Sequence, residues 1–415
     1  MVTGRCDRRR VELNAVQPVT NLCTAVRRRT TCPLVTADNL RPVRFKIITR
    51  LWFVRGHDIT ARVCSYSRLL PSALGKGFLR ASDTSYKLRR MGNLPETNAT
   101  LHPLVPASRS VAVDIVRICG IVAIVAGHIT SDGIVGALLY TWHVPLFFIL
   151  SGYLWTPGRS FSREVSTRFK SIVVPAVAWA GIIFALYTVA RAAGFQTGAS
   201  GLVPMSAYIA YWFVPALFFV ALLLRLIEAI PAWIGWALGG FGLLTTYLIP
   251  VLLSEIPLYL GVVLPSLCFV LIGEAVRAIR ARISVPIATF LLVLSAALVT
   301  FGIARPLNMK EGDFGTPVVS VLVAGTIVAS GIVIVENIAP RLPLRVAALA
   351  APLAQAGWTV VLVHAALILV MRQLGLPNVA VFGIALVIPW AVGLAALRTP
   401  AARLLTGSRR VALTG

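Results

Sequence analysis

Acidic residues are scarce in this chain. Asp and Glu total 15 among 415 residues, against 39 Lys and Arg, and the formal net charge is +24. Charged residues of both signs make up only 13% of the sequence, too few to cover a soluble domain of this length with polar surface. Cysteine numbers six. Cys6, Cys23, Cys32 and Cys64 have no CxxC spacing, and Cys119 and Cys268 lie in apolar runs where a thiol packs as a small apolar group. Neither a disulfide framework nor a bound metal is expected. A glycine-rich phosphate loop, an RNA-binding signature and zinc-finger spacing are also missing, so the positive charge does not imply a nucleic-acid partner.

The charge has a different meaning once it is located. Of the 39 Lys and Arg, 19 fall in residues 1–108 and most of the others flank apolar runs, which makes the charge a topology signal. Residues 1–108 hold no apolar run long enough to cross a bilayer, and no h-region follows their basic start. They read as a basic, disordered cytoplasmic arm that touches anionic lipid. Alternatively the chain starts at Met91, and MGNLPETNATLHPLVPAS is a short polar leader. The Asn98 sequon carries no weight in a cytoplasmic leader.

From Arg109 onward, apolar runs of about twenty residues recur, each long enough to span hydrocarbon as a helix. Ten are expected, near 111–130, 138–156, 172–190, 207–225, 233–251, 257–276, 284–304, 316–335, 347–370 and 378–397. With a cytoplasmic N-terminus, the inward loops and tail hold 14 Lys and Arg and the outward loops four, namely Arg191, Arg305, Lys310 and Arg372. That bias favours both termini inside. The fold class is therefore an all-α, multi-pass integral membrane protein of the cell's inner (plasma) membrane. A membrane domain would occupy 109–400 and a short basic cytoplasmic tail 401–415.

The most informative stretch is Arg109–Leu154. Its first helix, RSVAVDIVRICGIVAIVAGHI, carries Asp114, Arg117 and His128 inside a span. Ionisable groups are costly in hydrocarbon, so their presence there marks a functional site by default. The eleven steps from Arg117 to His128 return to nearly the same helix face, and separate the two by roughly 16 Å along the axis. Asp114 lies one turn below Arg117, on the same side. A second apolar run, YTWHVPLFFILSGYL, follows a polar turn. Pro145 and the pair Ser151-Gly152 are expected to interrupt it, which is tolerated only where protein or a water-filled cavity satisfies the released backbone groups.

This arrangement resembles the membrane-bound acyltransferase-3 family, the O-acyltransferases that decorate cell-surface glycans. The family's first span carries an arginine, ten residues and a histidine, matched by Arg117 and His128, and WHVPLFFILSGYL resembles the second-span signature of its sugar O-acetylase branch. Tyr211, Trp212 and Pro215 resemble its fourth-span pattern. The resemblance covers Arg109 to about Leu397. It implies acyl transfer, acetyl above all, from acyl-CoA as donor to a hydroxyl of a glycan or glycolipid.

Such chemistry needs a base for the hydroxyl proton and a hold on the donor. A neutral imidazole suits the first need, which makes His128 the candidate general base. Arg117 lines a donor channel in one reading and forms a structural ion pair with Asp114 in the other. Arg163, Arg168 and Lys170, in SREVSTRFKSIVVP, are candidates for the donor's phosphates. The family often has two arginines where this chain has Arg168 and Lys170, and a lysine lacks the bidentate fork. His143, Trp142, Ser151, Tyr153, Trp212 and His364 are candidates for acceptor contact or support, with packing or interfacial anchoring as the plainer role for the tryptophans. Glu274 is expected to pair with Arg277. Buried Asp, Arg and His in ten spans would also suit a proton-coupled secondary transporter, although no repeat relates the two halves of the chain.

Overall fold

In hydrocarbon every backbone N–H and C=O must be paired within the segment, which leaves helices as the form open to these apolar runs. A computed structural model describes residues 110–130, 133–194, 205–249 and 256–409, all within one unit, Asn98–Gly415. The basic segment 1–108, the alternative start at Met91 and the last residues of the tail lie outside the described residues. Among those described there is no β-strand, only an isolated bridge between Asn308 and Asp313.

All ten expected spans are helical. Helix α1 is Val111–Ile129. The second span is split into α2, Gly133–Trp142, and α3, Pro145–Tyr153. Helix α4, Phe161–Arg168, runs through a π-helical turn, Phe169–Val173, into α5, Val174–Ala192. A 3₁₀ stretch, Met205–Trp212, leads into α6, Phe213–Ile227. Then come α7, Ala232–Leu248, and α8, Val263–Ile279, the latter entered through the turn Pro257–Val262. The remainder are α9, Val285–Thr300, α10, Val319–Ile338, α11, Leu344–Gln373, α12, Asn378–Leu397, and the short α13, Ala402–Thr406. Eight of these segments, counted with their adjoining turns, are long and apolar enough to cross a membrane. Helices α7 and α9 have 17 and 16 residues. At about 25 Å they sit at the short limit for a span.

The second span departs from expectation in two ways. Its helix begins at Gly133 rather than 138, and it breaks once rather than twice. Pro145 lacks an N–H and starts a new helix, whereas α3 continues through Ser151-Gly152 to Tyr153. Gly152 serves close approach instead. A Cβ there would collide with the Val270 carbonyl, and a Cβ on Gly273 would collide with the Ile149 carbonyl. The two glycines bring α3 and α8 into backbone contact, the device membrane helices use when lipid offers no hydrophobic drive between them.

At the α3 end of this pair lies a knot of charge. The Glu164 side chain is 1% exposed and takes three arginines: Arg168 Nε at 2.7 Å, Arg159 Nη1 at 3.1 Å and Arg225 Nη2 at 3.4 Å. Arg225 also pairs with Glu228, donates to the Thr156 carbonyl at 2.8 Å, and lies 4.1 Å from the centre of the Trp155 ring. Arg277 donates to the Trp155 carbonyl at 2.5 Å, rather than forming the expected ion pair with Glu274. Arg280 and Tyr153 both reach Glu336 Oε1, at 3.1 and 2.6 Å. Several arginines expected at inward loops thus gather at one end of the bundle.

Two substitutions test this framework. Gly152→Leu should cost about 3 kcal/mol or more by overpacking, while Gly181→Ala, where a Cβ meets nothing within 4 Å, should be neutral or slightly stabilising; unfolding of the detergent-solubilised protein compares them. Glu164→Gln removes the carboxylate from three guanidiniums and should lower stability by about 3 kcal/mol, the scale for breaking a buried pair; a thermal midpoint matching that of the parent protein would show the knot to be dispensable.

Candidate active site

Helix α1 starts with Ser110, whose Oγ accepts from the Val113 N–H at 3.4 Å. Asp114 stands in the first turn, where a carboxylate complements the helix dipole, and is 2% exposed. Its Oδ1 is 3.6 Å from Arg117 Nη1. The ion pair forms, and both partners also border a cavity of about 630 Å³. Arg168, Ser151, Gln355 and Trp358 lie on the same walls. The Ser151 Oγ and Trp358 Nε1 are buried without a hydrogen-bond partner among the described residues, an unstable condition that a polar ligand would relieve. Arg163 and Lys170 are exposed and border none of this space. The π-helical turn Phe169–Val173 rotates the chain between Arg168 and α5, so Arg168 and Ser171 face the cavity while Lys170 turns away.

His128 stands in the last turn of α1. The carbonyls of His128 and Ile129, left without helical partners, take the guanidinium of Arg372 at 3.2 and 3.4 Å. This is a cation at a helix C-terminus, contributed by the far end of α11. The His364 ring, from the same helix, lies with its centre 5.1 Å from that of His128, tilted by 41°. His143 occupies the joint between α2 and α3, with its ring against α1 at Gly127, where a Cβ would lie 3.8 Å from His143 Cε1. Three histidines that are far apart in sequence therefore share one region.

Two of these rings have defined tautomers. His143 Nδ1 is 2.7 Å from the Leu139 carbonyl, and His364 Nδ1 is 2.9 Å from the Val360 carbonyl. A carbonyl only accepts, so each Nδ1 carries the proton and each neutral ring keeps a bare Nε2. In His364 that Nε2 is buried without a partner among the described residues. His364 is fully buried and His143 nearly so, whereas His128 is half-buried. His128 is the most accessible of the three.

The other candidates fall elsewhere. Tyr153 belongs to the Glu336–Arg280 end of the charge knot, and Ser151 to the cavity around Arg117, so neither stands beside the histidines. Trp212 is buried in the core, with Phe213 and Tyr259 as its ring neighbours. Trp142 packs partly buried between two hydrophobic clusters. Sequence reasoning passed over Tyr140, Trp358, Gln355 and Arg372. Tyr140, one turn before His143, meets its ring edge-on at 4.9 Å. Trp358 and Gln355 were visible as polar groups interrupting an apolar run. Arg372 looked like an ordinary loop charge.

No curated protein and no solved structure matches the chain. A family model described as an acyltransferase domain matches residues 110–397, more than half the chain and every helix from α1 to α12. That match sets aside the transporter reading, and with eight helices long and apolar enough to cross a membrane among the described residues the chain belongs to the acyltransferase-3 family, as a multi-pass membrane acyltransferase.

Proposed function

We propose that the protein moves an acyl group, acetyl in the simplest case, from cytoplasmic acyl-CoA to a hydroxyl of a cell-surface glycan or glycolipid at the plasma membrane. The observation that carries this reading is the placement of α1. Its Arg117 end borders a mainly apolar cavity that carries Asp114, Ser151 and Arg168 on its walls, and its His128 end meets two further histidines about 16 Å away.

The donor enters from the Arg117 side. Arg168 and Arg117 attract its anionic parts, and Ser151 Oγ and Trp358 Nε1 supply hydrogen-bonding groups for the amides of its arm. The thioester then lies toward His128. The acceptor hydroxyl gives its proton to the His128 imidazole as its oxygen attacks the thioester carbonyl. The C–S bond breaks, and the imidazolium returns the proton to the leaving thiolate. His364 is a positioning residue. Its bare Nε2 is an acceptor suited to hold the neighbouring His128 ring, just as its own Nδ1 is held by Val360.

Purified protein in lipid bilayers, supplied with labelled acyl-CoA and surface glycans, should transfer the label. His128→Ala and His128→Gln should both insert normally and lose about 10²-fold or more of the transfer rate, because an amide hydrogen-bonds but cannot take the proton. Transfer by the Gln variant at close to the normal rate would remove His128 from the chemistry. His364→Leu should lower the rate about tenfold and change its pH profile, while His364→Asn, which restores an acceptor, should recover part of it. Equal effects of Leu and Asn would make His364 a packing residue.

The donor side gives a separate expectation. Arg168→Ala should raise the KM for acyl-CoA about tenfold at little cost in kcat, since a contact made equally in ground and transition states acts on KM. Lys170→Ala, outside the cavity, should leave that KM within about twofold. Equal effects of the two substitutions would assign the donor's charge to the surface field rather than to the cavity.

A further inference from the structure

A second cavity, of about 370 Å³, lies between α2 and the loop joining α9 to α10. Gly133, Ala137 and Tyr140 form one wall, and Arg305, Asn308 and Asp313 form the other. It shares no lining residue with the cavity at Arg117. We propose that this cavity is the acceptor site and takes a neutral, polyhydroxylated group such as a sugar ring. The proposal rests on the acyl-transfer reading of His128.

The loop wall is preformed. Leu307, Met309 and Phe314 are buried, and the Phe314 ring stacks with Phe269, centres 6.2 Å apart. Thr316 Oγ1 accepts from the Arg305 N–H at 3.1 Å and donates to the Ile303 carbonyl at 2.8 Å. Ser320 Oγ donates to the Arg305 carbonyl at 2.7 Å, and Asp313 Oδ1 accepts from the Gly315 N–H at 2.8 Å. Ordering of this loop is completed in folding and is not charged against ligand binding.

Its chemistry selects the ligand class. An amide, a carboxylate and a guanidinium are planar groups that bond pairs of hydroxyls, and the Tyr140 ring adds an apolar face. Arg305 Nη2 and Asp313 Oδ2 are 3.7 Å apart, and their side chains are 67% and 45% exposed, so both can turn to a ligand. Lys310 and Glu311 add one charge of each sign. The wall is therefore neutral in sum, which favours an uncharged acceptor over an anionic one.

The cavity also leads to the reacting groups. Tyr140 lies between it and His143. A Cβ on Gly127 would meet Tyr140 at 3.4 Å and His143 at 3.8 Å, so both rings rest against α1 one residue before His128. The cavity at Arg117 borders α1 directly, and the second cavity is joined to the other end of that helix through Tyr140.

The experiment uses the full chain in proteoliposomes, with acyl-CoA and two probes at equal concentration, methyl glucoside and methyl glucuronide. Asn308→Ala and the cavity-filling Ala137→Phe should each raise the KM for methyl glucoside about tenfold with the KM for acyl-CoA unchanged, and the parent protein should prefer the glucoside. Acceptor KM values unaltered in both variants would overturn the site while leaving acyl transfer standing. Preference for the glucuronide would overturn the neutral class. Binding is read independently of chemistry by placing Ala137→Cys, which keeps Asn308, in an inactive His128→Ala background, with the native cysteines replaced. Methyl glucoside should slow its labelling by a maleimide several-fold, and this protection would hold even if His128 had no role in transfer. Labelling unaffected by the sugar would overturn the site.

Discussion

The arrangement of the bundle around the Arg117 cavity depends on one buried carboxylate. Glu164 holds Arg159, Arg168 and Arg225 together, and those three side chains come from the loop before α4, from α4 itself and from α6. Guanidiniums crowded in this way repel one another unless an anion lies among them, and the low local dielectric magnifies both the repulsion and the attraction that offsets it. Trp155 adds a π face beside Arg225 and Arg168. Because Arg168 is held on one side by Glu164, its exposure to the cavity is set by the fold and not by a flexible stem. A chain with only 15 acidic residues has placed one of them where it organises three bases.

The helices were legible because the hydrocarbon imposes a simple rule: a run of about twenty apolar residues has one acceptable backbone form. That rule located a helix at each of the ten runs, eight of them long and apolar enough to cross a membrane. It could not locate helix ends, since Gly133 and Gly136 bracket Ile134 and Val135, and a stretch with two glycines reads equally as a turn. Nor did it anticipate why Ser151-Gly152 is tolerated inside a helix. The reason lies in α8, where Gly273 faces α3 from more than a hundred residues away.

The Arg117–His128 axis was legible because both residues lie on one helix, whose geometry is known in advance. The meeting of His128 with His364 was not, because it depends on how α11 packs on α1, and no local pattern encodes that. The basic run before α5 was misleading for a similar reason. Two residues apart, Arg168 and Lys170 fall on opposite sides of a helical turn, and Arg168 reaches the cavity.

Helix α11 has 30 residues, or about 45 Å of helix against a hydrocarbon core of roughly 30 Å. It carries an arginine near each end, Arg345 and Arg372, about 40 Å apart by helix rise, close to the thickness of a bilayer with its headgroups. Both guanidiniums reach polar surroundings together only in a membrane of about that thickness. A thinner one tilts or displaces the helix. Since Arg372 also holds the carbonyls of His128 and Ile129, such a displacement pulls on the last turn of α1. Acyl-chain length of the surrounding lipid is therefore a mechanical variable acting on His128, the proposed base, with α11 as the rod that transmits it.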